Sequence, residues 1–92
     1  MAQKYRDSIE TMCRAQDIVI PDGFYRHAAS RYAVIDYSAE QPRLVAKTWF
    51  NQRDLIYYLT RLADGRKLRV LDFKDRRELC LQGARLETGA AF

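Results

Sequence analysis

Histidine and cysteine, the residues that most often bind zinc, are scarce in this chain of 92 residues. It has one histidine and two cysteines, Cys13 and Cys80, which lie far apart in the sequence. These are too few soft ligands for a zinc site of ordinary composition. In a reducing compartment the cysteines are most simply small buried hydrophobic residues, with a redox or metal role as the alternative. We therefore expect no metal and no cofactor.

Long apolar runs are also missing. The longest cover only a few residues, so no segment is long enough to cross a bilayer. The first ten residues, MAQKYRDSIE, contain acids and lack the apolar core of a secretory signal. We therefore expect a cytoplasmic protein. Hydrophobic residues make up 48% of the chain and charged residues 30%, which predicts one folded domain over residues 1–92.

Motifs for catalysis are absent as well. No glycine-rich loop follows a predicted strand, and there is no G-x-S-x-G turn. Cys13 and His27 could be imagined as nucleophile and base, but Cys13 is predicted on the packed side of a helix, where burial makes a thiol inert. His27 is expected to be a surface or half-buried strand residue. Asp72, Asp75 and Glu78 alternate with cations and are expected to form a solvated ion-pair surface. The sequence thus predicts a protein that is not an enzyme.

The stretch from Asn51 to Gly65 predicts one amphipathic helix. Asn51 is a favourable N-cap, Asp54 suits the first turn, and Gly65 is a common helix terminator. The apolar stripe of this helix comprises Leu55, Ile56, Leu59, Leu62 and Ala63. Its opposite face carries Arg53, Tyr57, Thr60, Arg61 and Asp64. The helix therefore has one side for packing and one side for solvent or a partner.

The remaining elements are predicted from periodicity and turn residues. A first helix over Gln3–Gln16 has a narrow apolar face of Tyr5, Ile9, Met12 and Cys13. Strands are predicted over Phe24–Ala28, Arg31–Ser38, Leu44–Phe50 and Lys67–Lys74, and Leu79–Leu86 forms a last strand or a ragged helix. The Lys67–Lys74 strand is apolar on both faces, which is typical of a strand that is interior in the sheet or paired with a partner. Residues 87–92 are expected to trail as a flexible end.

This order of elements predicts an α+β fold, α-β-β(-β)-α-β(-β). An antiparallel sheet of three to five strands packs against the two helices. We expect the sheet to present one apolar face, which both helices cover.

Positive charge is the remaining functional signal. The net charge is +4, and twelve of the sixteen basic residues are arginine. Arginine makes bidentate contacts with phosphate and carboxylate and stacks on aromatic rings, and tyrosine is enriched with it at interfaces. Composition of the host genome is the alternative explanation for the arginines. Between Arg61 and Glu78, seven cations stand against four anions.

This pattern predicts a partner-binding patch on the central helix and the strand after it. Such a patch is suited to an RNA or DNA backbone, or to a ribonucleoprotein, and a mixed-charge solvated surface is the alternative. The candidate partner-binding residues are Arg53, Tyr57, Arg61, Arg66, Lys67, Arg69, Arg76 and Arg77.

Taken whole, the chain resembles the small, arginine-rich, single-domain proteins that phages encode as anti-CRISPR inhibitors, in particular the type I-F group. The likeness lies in the length, the absence of a catalytic set, and an α+β pattern centred on KTWFNQRDLIYYLTRLADGRKLRVLDF. The group shares no motif, so no site residue is transferred from it.

The resemblance implies a stoichiometric inhibitor in the bacterial host cell. It would bind Cas proteins of the crRNA-guided surveillance (Csy) complex, with the crRNA itself as a further contact, and block hybridisation of target DNA. Neither a membrane nor a small-molecule substrate is implied. A small basic nucleic-acid-binding regulatory protein is the alternative.

Overall fold

Two helices and a five-stranded sheet make up the part of the chain that the structure describes. The structure, a computed structural model, describes residues 5–24, 31–46, 49, 51–61 and 66–92. In chain order the elements are α1 (Arg6–Gln16), β1 (Tyr32–Asp36), β2 (Arg43–Leu44), α2 (Gln52–Arg61), β3 (Leu68–Asp72), β4 (Arg77–Gln82) and β5 (Arg85–Ala91). The predicted α+β fold is confirmed.

The sheet is antiparallel, with the strand order β2-β1-β3-β4-β5. Val34 of β1 pairs with Val70 of β3, which in turn pairs with Leu79 of β4. The prediction that the segment around β3 is interior is therefore confirmed. Beside the short edge strand β2, Val19 forms an isolated parallel bridge with Arg43.

An apolar cluster lies on each face of the sheet, because neighbouring residues of a strand point to opposite faces. The α1-side cluster comprises Ile9, Cys13, Ile18, Phe24, Ala33, Ile35, Leu44, Leu71 and Phe73. The α2-side cluster comprises Tyr32, Val34, Trp49, Leu55, Tyr58, Val70 and Leu79. The helices thus cover opposite faces, and the expectation that both cover one face is wrong. Both β1 and β3 are apolar on both sides, so each side needs a cover.

Helix α2 begins as predicted. The backbone N–H of Asp54 donates to Oδ1 of Asn51 at 2.9 Å, which caps the first turn. Leu55 and Tyr58 are buried and Leu59 packs against the same cluster. The buried stripe therefore includes Tyr58, whose ring centroid lies 5.1 Å from that of Trp49. Residues 62–65, which include the predicted Gly65 terminus, lie outside the described residues.

Helix α1 packs through the residues that its spacing predicts. Ile9 and Cys13 are buried, and Tyr5 and Met12 pack against the same cluster. The helix ends at Asp17, which adopts the left-handed conformation with φ 56°. No helix among the described residues is long and apolar enough to cross a membrane.

The C-terminal part differs most from the prediction. Strands β4 and β5 form a hairpin around Gly83 and Ala84. Gly83 has φ 62°, as the first central position of a type II′ turn requires. Strand β5 runs to Ala91, and the N–H of Phe92 donates to the carbonyl of Arg76 at 3.0 Å. The expected flexible end over residues 87–92 is therefore wrong, because backbone pairing with β4 orders a segment of little apolar character.

The segment before α2 also differs. Of the strand predicted over Leu44–Phe50, the described residues place only Leu44 in a strand, β2, and Trp49 is buried in the α2-side cluster. Residues 47, 48 and 50 lie outside the described residues, as do His27 and the rest of the predicted Phe24–Ala28 strand after Phe24. Phe24 itself is in a turn and is buried in the α1-side cluster.

Replacing Leu55 with alanine tests the anchoring of α2. Leu55 is fully buried, so the variant leaves a cavity and is expected to lower the free energy of unfolding by about 2–5 kcal/mol. Urea denaturation followed by circular dichroism measures this. The matched control is Tyr57→Ala on the outer face of the same helix, where a loss of about 1 kcal/mol or less is expected. Equal losses in both variants would show that the buried face of α2 is assigned wrongly.

Candidate interaction surface

The outer face of α2 carries an exposed row of arginine and tyrosine. Arg53, Tyr57 and Arg61 follow one another at four-residue spacing, so their side chains lie along one face of the helix. Tyr57 is 61% exposed, and the guanidinium carbon of Arg61 lies 5.7 Å from the centroid of its ring. A cation–π contact of this kind contributes about 0.5–1 kcal/mol at an exposed site. We call these three residues the α2 ridge.

The α2 ridge is held rigidly because the helix is fixed from behind. Leu55 and Tyr58, on the opposite side of α2, are buried in the α2-side cluster. Thr60, which was predicted to share the outer face, donates its hydroxyl to the carbonyls of Ile56 and Tyr57. Its hydroxyl hydrogen is therefore used within the helix, and the arginines and Tyr57 are the groups left to meet a partner.

Arg66 and Lys67 lie just before β3. NH1 of Arg66 is 4.0 Å from Oδ2 of Asp36, and both cations are exposed. The pKa of Asp36 is lowered, first by hydrogen bonds from Ser38 and then by the charge of Arg66. The backbone N–H of Lys67 donates to Oγ of Ser38 at 2.9 Å. These contacts fix the backbone around Lys67 while its ammonium group faces solvent.

Arg69, by contrast, belongs to an ion pair on the other face of the sheet. It alternates with Val70, so its side chain lies on the α1 side. Its guanidinium donates to Glu78 at 2.9 and 3.3 Å and to the hydroxyl of Tyr37 at 3.2 Å. The hydrogen bond with Glu78 is the largest cause of a raised Arg69 pKa. Arg69 therefore ties β3 to β4 and to Tyr37.

Arg76 and Arg77 lie at the other end of β3, in the turn to β4 and at its start. Arg76 has φ 55°, and its guanidinium carbon is 5.3 Å from the ring centroid of Phe92. NH1 of Arg77 donates to the carbonyl of Gly89 at 3.1 Å. The eight predicted residues are thus divided. The structure brings Arg53, Tyr57 and Arg61 together and separates them from Arg69 by the sheet.

A buried ion pair was missed by the sequence analysis. Nε and NH2 of Arg31 donate to the two carboxylate oxygens of Asp72, and NH2 also reaches Asp75 at 3.1 Å. Asp72 is only 3% exposed, so its expected place on a solvated surface is wrong. Burial raises the pKa of Asp72, but hydrogen bonds from Arg31 and from the N–H of Lys74 leave it below its ordinary value. Arg31 and Asp72 are 41 positions apart, and no local pattern links them.

The two cysteines differ in environment, and both are free. Cys13 is buried, and burial, with a smaller effect of Glu10, raises its pKa to about 11. Cys80 is exposed on β4, so the expectation that both are buried is wrong. Successive residues of β4 point to opposite faces of the sheet, and Leu79, which precedes Cys80, points to the buried face. Over the described ranges, no group of three or more His, Cys, Asp or Glu side chains could hold a metal ion.

Comparison of the chain with protein-family models, with curated proteins and with solved structures finds no match. The function has therefore to be argued from the residues themselves. The α2 ridge combines exposure, positive charge and a rigid support, which makes it the candidate site.

The thiols are expected to react at very different rates. In the native protein, Ellman's reagent should modify Cys80 quickly and Cys13 only after unfolding, because Cys13 is buried and its raised pKa disfavours the thiolate. Absorbance at neutral pH with and without urea measures this. The variant Cys80→Ser should lose the fast reaction and Cys13→Ser should keep it. A fast reaction that persists in Cys80→Ser would contradict the burial of Cys13.

Acid is expected to weaken the fold through Asp72. Its folded-state pKa is below the unfolded value of about 3.9, so its stabilisation is complete above that pH. The stabilisation is lost as the pH falls through the folded-state pKa. The urea midpoint, measured from pH 7 to pH 2, should therefore fall less steeply with acid in Asp72→Asn than in wild type. The variant is already less stable than wild type at neutral pH, because it lacks the carboxylate. Asp75→Asn, which also removes a carboxylate from Arg31 but an exposed one, is the control. If the urea midpoint fell equally steeply with acid in wild type and in Asp72→Asn, this role of Asp72 would be contradicted.

Proposed function

We propose that this protein is a non-enzymatic phage inhibitor that binds the type I-F crRNA-guided surveillance complex in the bacterial cytoplasm. One molecule occupies the complex and blocks hybridisation of target DNA. The whole-chain resemblance to anti-CRISPR proteins supports the choice of target. The observation that carries the binding step is the α2 ridge, an exposed Arg-Tyr-Arg row on a helix whose other side is buried.

The chemistry of the α2 ridge favours phosphates and carboxylates as its contacts. Surveillance complexes hold the guide RNA and its target in a positively charged channel, which an acidic DNA mimic would fill. This chain has a net charge of +4, so it is suited to the crRNA backbone or to acidic side chains of Cas proteins instead. Arg53 and Arg61 can each bind such a group in a bidentate manner. Tyr57 between them can stack on a base or bury its ring in a pocket.

Rigidity supports the same proposal. The backbone of a helix that is anchored through Leu55 and Tyr58 has little further conformational freedom to lose on binding. The ion pairs of Arg31 and Arg69 fix the strands beneath and leave those two arginines engaged within the protein. The exposed arginines of α2 are therefore the ones best placed to act on another molecule.

Charge reversal at Arg61 tests the binding surface. Inhibition is measured by titrating the protein into purified type I-F complex and following binding of labelled target DNA. Wild type is expected to abolish DNA binding at near-stoichiometric amounts, and Arg61→Glu should weaken inhibition by about tenfold or more. The control is Arg14→Glu, because Arg14 is an exposed arginine in the last turn of α1, on the other face of the sheet. Equal inhibition by both variants would remove the α2 ridge from the proposal.

A small basic nucleic-acid-binding regulator is the second candidate, favoured by the net charge and by the same exposed arginines. Binding to bare nucleic acid distinguishes the two candidate functions. A regulator binds free RNA or duplex DNA with an affinity that falls log-linearly with salt, and Arg61→Glu reduces that slope by about one. The inhibitor co-purifies with the surveillance complex and has no useful affinity for bare duplex DNA.

A further inference from the structure

Strand β5 forms one edge of the five-stranded sheet. It pairs with β4 on one side, and the described strands place nothing on its other side. Residues on antiparallel strands alternate between hydrogen-bonded and non-hydrogen-bonded pairs. The two-residue turn makes Gln82 and Arg85 a hydrogen-bonded pair, so Leu86 and Thr88 occupy the alternate positions. Their backbone N–H and C=O groups therefore point away from β4, toward the open edge.

This edge lacks several of the common protections. Natural edge strands are blunted by charged side chains, above all lysine, and by proline, short length or bulges. Residues 85–91 contain neither lysine nor proline. A bulge is present, because Arg77 pairs with Ala91 while Leu79 pairs with Thr88. Arg77 also donates to the carbonyl of Gly89 there. The bulge makes the far end of β5 irregular for pairing with another strand, and the part nearest the turn stays regular.

The charges at this regular part of β5 are self-complementary. Arg85 and Glu87 lie on one face of β5, 79% and 50% exposed, with NH2 of Arg85 3.3 Å from Oε1 of Glu87. Leu86 lies between them on the opposite face and packs against the α2-side cluster. An antiparallel pairing of two β5 strands about Leu86 sets Arg85 of each copy opposite Glu87 of the other. Opposite charges in such cross-strand pairs are stabilising.

The other symmetric registers lack this match. Pairing about Glu87 sets the two Glu87 carboxylates against each other, which is destabilising. Pairing about Thr88 sets Glu87 opposite Gly89, at the bulge that Arg77 already engages. Of these registers, only the one centred on Leu86 pairs the outward backbone groups and also sets opposite charges against each other.

We propose that two copies of this chain associate through β5, antiparallel and centred on Leu86, so that their sheets join into one. The contact involves few residues, so the dimer is weak and depends on concentration. The two-fold axis is perpendicular to the sheet, and it keeps both copies of α2 on the same face. The two α2 ridges are then presented together on that face.

Charge exchange tests this dimer. Sedimentation equilibrium of the wild type over rising concentration should show monomer–dimer exchange. Arg85→Glu and Glu87→Arg should each weaken self-association by about tenfold or more, because each sets like charges opposite twice. An equimolar mixture of the two variants should associate again as a heterodimer, since each chain then meets opposite charges across the contact. Repulsion within each β5 strand is the same in the mixture as in the separate variants, so recovery reports contacts between chains.

The controls keep the outcome clear. Circular dichroism confirms that each variant is folded, and Arg14→Glu, on α1, should dimerise like wild type. A wild-type protein that stays monomeric at about 1 mM would overturn the proposal. The edge would then be available only to a strand of another protein. Dimerisation that persists in Arg85→Glu would also overturn it, by indicating another register or another surface.

Discussion

The central strands β1 and β3 have to be covered on both faces, and this requirement organises the molecule. Val34 and Ile35 are neighbours in the sequence, and both are fully buried, one in each apolar cluster. Strand residues alternate in direction, so no single layer can bury both. The chain meets this requirement by placing α1 on one face and α2 on the other. The outer face of α2, with Arg53, Tyr57 and Arg61, is then exposed.

The arginines of this chain have different tasks, decided by what lies opposite them. Arg31 and Arg69 face carboxylates across strands, and their ion pairs tie β1, β3 and β4 together. The carboxylate of Asp72 needs its partner, because removing Arg31 leaves a buried charge unpaired. Arg61 rests on Tyr57 at the surface instead, where a stacked guanidinium keeps its donors exposed. The arginine content therefore does not by itself separate arginines engaged in internal ion pairs from exposed ones, and only their position in the fold does.

The α2 ridge and the β5 edge are different kinds of surface. The ridge presents charged and aromatic side chains from a helix, and in the proposed function these side chains select the partner by charge and by stacking. The edge presents backbone groups, which would accept any extended strand, and selectivity comes from Arg85 and Glu87. The sheet connects them, since β5 also touches the layer formed by α2 through Leu86.

Local pattern alone determined the helices, the cap at Asn51, the interior position of β3 and the row at Arg53, Tyr57 and Arg61. Each depends on spacing within one element, which the sequence displays directly. The hairpin at Gly83 could also have been predicted from the sequence, because a Gly-X pair between two alternating segments favours a type II′ turn. The tertiary structure decided which face each helix covers, that Arg69 and Asp72 have internal partners, and that residues 85–91 join the sheet. These outcomes depend on contacts between residues distant in sequence, such as Arg31 and Asp72, whose pairing arises only once β1 and β3 are side by side.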